Sequence, residues 1–240
     1  ETVKLNQQAI QLYRQGKYSE AIPLAKRALA IREKVLGREH QDVATSMTNL
    51  AELYRVQGNY TKAKPLLLKA LAIREKVLGK EHPDVATSLN NLAGLYWQLE
   101  NYTKAEPLFL QALAIREKVL GKEHPDVANS QNNLAGFYFS QGNYIKAEPL
   151  FLQAVAIWEK VLGKEPPFMA TSLNNLAELY RSQGNYIKAE PLIIRALAIR
   201  EKVFGREHPD VATSLNNLAV LYEVQGYYGK AEPLYLRTLA

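Results

Sequence analysis

Between residues 79 and 120 the apolar positions form two separate stripes. In the first, Val85, Leu89, Leu92, Ala93 and Tyr96 follow one another at steps of four, three, one and three. That spacing lines one side of an α-helix and predicts a helix A, with Asp84 as its N-cap. In the second, Ala105, Leu108, Phe109, Ala112, Ile115 and Val119 predict a helix B. Gly121 is expected to close helix B in a left-handed conformation. The turn between the helices reads "QGNY" at Gln57–Tyr60, Gln141–Tyr144 and Gln183–Tyr186, where glycine ends helix A. Pro107 lies near the start of helix B. Proline is harmless at the first helical position and costs about 3 kcal/mol in a helix interior, so helix B is expected to start late or to bend there.

The pattern repeats. "LNNLA" occurs at 89, 173 and 215, "QNNLA" at 131 and "MTNLA" at 47, each separated from the next by 42 residues. Pro65, Pro107, Pro149, Pro191 and Pro233 keep the same step, as do Gly37, Gly79, Gly121, Gly163 and Gly205. A fixed period of this size marks a solenoid. Residues 1–240 are therefore expected to form a single array, with approximate units 1–36, 37–78, 79–120, 121–162, 163–204 and a truncated 205–240. A helix pair joined by a short turn cannot bury its apolar face alone, so neighbours must stack to complete the core.

Composition adds limits. The chain is 47% hydrophobic and 22% charged, with no cysteine. No apolar run approaches the roughly 20 residues that cross a bilayer, so no membrane partner is expected. The lack of thiols excludes disulfides and fits a reducing, cytoplasmic location. The net charge of +6 is uneven: residues 1–78 carry 14 basic against 7 acidic side chains, and residues 79–240 carry 16 against 17. A basic end attracts acidic partners over a Debye length of about 8 Å. Nucleic-acid binding would need a basic stripe with stacking aromatics or base-reading side chains; neither is present, and no nucleic acid is expected. The chain opens at Glu1 and stops at Ala240 inside a copy of the "ALAIREKVLG" helix, as expected of a segment of a longer protein.

Leu92, Ala93, Tyr96, Tyr102, Ala105, Phe109 and Ala112 match the spacing of the tetratricopeptide repeat (TPR) signature. That signature recurs about every 34 residues; the present unit is longer by about two helical turns. With "ALAIREKVLGKEHPDVATSLNNLA" and "KAEPL", the chain resembles the kinesin light chain type of TPR over nearly its whole length. The match is weakest over residues 1–27, where Gln8 stands at the usual Leu position. The resemblance implies an all-α, right-handed superhelix of antiparallel helix pairs. It also implies an adaptor or scaffold that holds a protein or extended peptide in a concave groove lined by the A helices.

Asn is a weak helix former and Gly a weaker one, yet both sit inside helix A. Asn90, Gly94 and Trp97 lie at i, i+4 and i+7, off the core stripe. Asn side chains offer donors and an acceptor to an extended peptide's backbone. Asn49, Asn90, Asn91, Asn132, Asn133, Asn174, Asn175, Asn216 and Asn217 would form such a ladder; alternatively they hydrogen-bond between adjacent A helices and fix their stacking. The neighbouring positions vary: Glu52 and Arg55, Gly94 and Trp97, Gly136 and Phe139, Glu178 and Arg181, Val220 and Glu223. A glycine beside a large aromatic is the make-up of an anchor pocket, expected at Gly94, Trp97, Gly136 and Phe139. Arg55 and Arg181 would read acidic residues flanking an aromatic anchor, or pair with the glutamate three residues before them.

The fifth unit reads "EPPFMA" where others read "EHPDVA", and Trp158 replaces an arginine nearby. Trp158, Phe168 and Met169 form either an apolar patch for a partner or a second copy, or a local repacking. His40, His82, His124 and His208 share one loop position, each in a different unit, without the close ligand pairs of zinc motifs. No phosphate loop, nucleophile elbow or metalloprotease helix appears. Neither catalysis, metal nor cofactor is expected. A purely structural array, or a sensor segment of a multidomain protein that assembles through its ends or edges, is the competing reading.

Overall fold

Each apolar stripe becomes one helix. The computed structural model describes residues 1–162 and 167–238, and among them every regular element is a helix. The A helices are α1 (Thr2–Arg14), α3 (Gln41–Val56), α5 (Pro83–Gln98), α7 (Pro125–Ser140), α9 (Pro167–Ser182) and α11 (Pro209–Val224). The B helices are α2 (Tyr18–Leu36), α4 (Tyr60–Leu78), α6 (Tyr102–Leu120), α8 (Tyr144–Leu162), α10 (Tyr186–Phe204) and α12 (Tyr228–Thr238). They pack as sequential antiparallel pairs. The chain divides into two compact units, Glu1–Gly121 and Lys122–Ala240.

Two clusters in the first unit show why the pairs stack. Val43, Ala44 and Met47 of α3 pack on Ala70 of α4, with Leu66 and Ile73 beside them and Leu29 reaching in from α2. Val85, Ala86 and Leu89 of α5 pack on Ala112, Ile115 and Leu108 of α6, with Leu71 of α4 closing the other side. Helices α3 and α5 each thus fill the space between their own B helix and the preceding one. The alanines matter here: Ala51, Ala63, Ala70, Ala93, Ala105 and Ala112 have no exposed surface, so backbones meet closely where they lie.

Helix starts differ from the sequence expectation. The N-cap of α5 is His82, not Asp84: the His82 Nδ1 accepts a hydrogen bond from the Asp84 amide at 3.1 Å, and Pro83 takes the first helical position. The same imidazole cap opens α3, α7 and α11 at His40, His124 and His208. A proline at N1 has no amide to leave unsatisfied, so the next amide is the first that needs an acceptor. The repeated histidine therefore has a structural task. Helix B does not start late. It opens at Tyr102, five residues before Pro107, and runs through it. The proline forgoes one i→i−4 bond, which the burial of Ala105, Phe109 and Ala112 on the same helix offsets.

Gly121 has the positive φ expected of it, but with ψ of 151° its backbone is extended rather than left-handed helical. That region is open essentially to glycine alone. In the A-to-B turn the third unit departs from the others. Glu100 stands where Gly58 and Gly142 stand, and adopts φ of +56°.

A row of arginines ties successive pairs together. Arg74, 7% exposed, donates from Nη1 to Ser88 Oγ of the following A helix at 2.6 Å and from Nη2 to Thr45 Oγ1 of its own at 3.3 Å. Arg32 donates to Ser46 Oγ at 2.7 Å, and Arg200 to Ser214 Oγ and the Asp210 carbonyl, both at 2.9 Å. Burial pushes the Arg74 and Arg200 guanidiniums below their ordinary value, and Asp84 and Asp210 counteract it. Trp158 occupies the arginine position of the fourth repeat.

Candidate functional site

The two members of each asparagine pair have different surroundings. In two pairs the first member bonds to the next A helix. Asn132 Oδ1 accepts from Ser172 Oγ at 2.6 Å, and Asn174 Nδ2 donates to Ser214 Oγ at 3.0 Å. Asn174 and Asn90 are each only 6% exposed. Asn216, on the last A helix, is exposed. The second member points elsewhere: Asn91, Asn175 and Asn217 are half-buried, and Asn49 and Asn133 are exposed. One residue of spacing separates the two because adjacent helical positions lie about 100° apart around the axis.

The variable positions lie beside the second asparagine. A methyl group built on Gly94 would meet no atom within 4 Å, so the glycine opens on free space. Trp97, half-buried, sets its ring edge-on to Phe109 with centroids 6.3 Å apart. In the second unit Gly136 is half-buried, and Phe139 lies against Tyr144 at 5.6 Å. Arg55 and Arg181 are engaged within their own helices. Arg55 Nε and Nη2 each donate to the Glu52 carboxylate at 2.6 Å, and Arg181 makes the same fork with Glu178. Burial pushes Glu52 up, but the Arg55 hydrogen bonds and charge hold its carboxyl below the ordinary value.

Trp158, Phe168 and Met169 are packed together rather than spread over a surface. Trp158 is 1% exposed and Met169 has no exposed surface, while Phe168 is 44% exposed and meets the Trp158 ring edge-on at 5.0 Å. Phe168 stands where Asp84 and Asp210 oppose a buried arginine, so the aromatic pair replaces an ionic one. Glu165 and Pro166 of the same motif lie outside the described residues. Among the described residues, no group of three or more His, Asp or Glu side chains is placed to hold a metal ion.

One cavity was not foreseen. About 160 Å³ of space lies in the first unit between α1, α2 and α3, walled by Ala9, Ile10, Ala25 and Leu53, with Asn6, Asn49, Tyr13 and Glu52 around it. Its cause is readable once the repeats are aligned. Ala25 stands in the column occupied by Leu67, Phe109, Phe151 and Ile193, all at most 4% exposed. The small residue leaves unfilled what its counterparts fill.

Sequential antiparallel helix pairs at a 42-residue period, stacked through alanine-rich faces, define a helical repeat protein of the tetratricopeptide class. The tetratricopeptide repeat family model matches residues 2–56, 42–118, 84–160, 126–186 and 168–240. Among solved structures, BtubC (BKLC) from P. vanneervenii is similar at 28% identity and a TM-score of 0.73, over 95% of this chain and 89% of that one. A kinesin-light-chain-type protein from Podosopora anserina, with nearly identical TPR-like repeats, is 34% identical over 83% of this chain and 94% of that one, with a TM-score of 0.67. A Rap protein complexed with competence and sporulation factor shares the fold at 19% identity and a TM-score of 0.69, over 97% of this chain and 72% of that one. No curated protein matches the chain. The chain belongs to the tetratricopeptide repeat family, among its kinesin-light-chain-like members.

Proposed function

We propose that the chain is a non-catalytic binding scaffold whose A helices hold a protein or an extended peptide. The observation that carries this reading is the different surroundings of the two asparagines in the pairs that begin at Asn132 and Asn174. Asn132 and Asn174 hold neighbouring helices together. Asn49, Asn91, Asn133, Asn175 and Asn217 keep surface for a ligand's backbone. Beside them Gly94 leaves space next to the half-buried Trp97, and Gly136 precedes Phe139 by the same three residues. Each aromatic offers an apolar wall for an anchor side chain. The Arg55 and Arg181 forks use Nε and Nη2 and leave the Nη1 donors for an acidic flank. The Rap protein solved complexed with a factor has this fold.

The test is a peptide selected by display on the intact chain and titrated against variants, with a thermal melt of each. Trp97→Ala is expected to weaken binding by about 2 kcal/mol, a typical anchor loss. Asn133→Ala is expected to cost about 1–3 kcal/mol where a partner group is left buried and unpaired. Gly94→Leu is expected to block the site with helix content unchanged, since Leu is the better helix former. Variants that bind normally but melt early would make these residues stacking devices and leave the structural-array reading standing.

A further inference from the structure

The first unit holds a cavity where the repeat pattern has an exception. The cavity between α1, α2 and α3 owes its space to Ala25, where the following repeats carry Leu67, Phe109, Phe151 and Ile193. Those four side chains are buried, so the fold has room for a large apolar group at this position in the second to fifth repeats. In the first repeat the chain itself does not supply it. An apolar cavity of roughly 150 Å³ accommodates a benzene-sized group, and the 160 Å³ here is of that order.

The surroundings of the cavity say what kind of group completes it. Ala9, Ile10, Ala25 and Leu53 give it aliphatic walls, and Val3 and Ile10 of α1 are 63% and 47% exposed. The one carboxylate at its edge is already satisfied. Glu52 accepts both Arg55 bonds at 2.6 Å and the Tyr13 hydroxyl at 3.2 Å. A charged side chain would find the one carboxylate already paired, whereas an apolar one loses only water. The amides of Asn6 and Asn49 lie at the rim, where they offer donors and acceptors to a peptide main chain. Around the site the chain is basic, with 14 Lys and Arg against 7 Asp and Glu in residues 1–78. That balance favours an acidic segment over a basic one.

We infer that this cavity seats one aliphatic, leucine-sized side chain of an acidic, extended peptide, whose backbone meets Asn6 and Asn49. The inference rests on the scaffold reading above and shares Asn49 with it, but the cavity at Ala25 is its own, so a test at Ala25 lets the two fail separately. Ala25→Phe separates a binding pocket from a packing defect. It restores the residue type found at Phe109 and Phe151, and it is expected to fill the cavity and raise the melting temperature in either case.

The probe is a displayed library of random peptides, selected on the full chain and counter-selected on the Ala25→Phe chain. The expected result is a family of peptides sharing one Leu, Ile or Val among Asp and Glu residues. Burying such a side chain contributes about 1.5–3 kcal/mol, which is roughly 10- to 100-fold in Kd. Ala25→Phe should lose that factor while circular dichroism shows unchanged helix content. Replacing the peptide's aliphatic residue by Ala should lose a similar factor on the native chain and little on Ala25→Phe. Peptides that bind both chains equally, or a selection that yields none preferring the native chain, would overturn the proposal. If such peptides also weaken on Trp97→Ala, the scaffold reading survives without this pocket.

Discussion

Glu100 holds its backbone at φ of +56°, where the equivalent turns use Gly58 and Gly142. A side chain in that region costs about 1–2 kcal/mol through the crowding of Cβ against the carbonyl, and glycine removes the clash. Part of the gain is returned, because glycine makes the unfolded chain more flexible. Glu100→Gly is therefore expected to stabilise the protein by about 1 kcal/mol in denaturant titration; unchanged or lowered stability would show that the turn is not strained. The histidine caps illustrate what residue-level reading missed. "EHPD" offers Asp as the familiar cap, and only the geometry shows that the imidazole accepts the Asp amide. A proline at the first helical position does not decide it, since His40 caps α3 in the same way ahead of Gln41.

At the scale of elements, helix B does two jobs. Its alanine face packs the pair, and its arginine reaches the serine of the next A helix. The fourth repeat exchanges this clamp for Trp158 against Phe168 and leaves Ser172 bonded to Asn132 instead. The two replacements are one change: a guanidinium at 158 would lose the aspartate that opposes its counterparts. Trp158→Arg alone is expected to destabilise by about 3 kcal/mol, the cost of a buried charge without its partner. Adding Phe168→Asp should recover about 1–2 kcal/mol of that. Additive effects of the two substitutions in a double-mutant cycle would show that they are independent. The sequence revealed both substitutions but not their coupling, because residues ten apart on separate helices have no fixed relation until the helices dock.

At the scale of the molecule, stability sums over units and their interfaces, so groups repeated along the chain act together. Tyr180 and Tyr222 donate to Glu148 at 2.8 Å and Glu190 at 2.6 Å. Burial, then these bonds and the carboxylate charges, push both phenols from 10.0 up to about 12. A phenol that holds its proton more tightly when folded contributes stability that is complete below pH 10. That contribution is lost as pH rises toward 12. Urea titrations are expected to show stability falling across that window, and the Tyr180→Phe, Tyr222→Phe double variant to fall less steeply. An equal slope in both would remove these tyrosines as the cause.

Helix number, order and approximate ends were determined by the sequence alone, because the apolar period and the 42-residue repeat act locally and recur. The positions off the core stripe were readable only in part: Gly94 and Trp97 lie there as helical geometry places them, but Asn90, grouped with them, is 6% exposed. Which asparagine of a pair is spent on stacking was decided only by tertiary structure. Ser172 and Ser214 come within hydrogen-bond reach of Asn132 and Asn174 by the docking of one A helix on the next. The same holds for Arg55, whose donors are shared with Glu52, and for Trp158, which is buried rather than offered as a patch. The space at Ala25 belongs to this second kind. A small residue in one sequence column becomes a cavity only if the neighbouring helices do not close over it, and here about 160 Å³ of space remains.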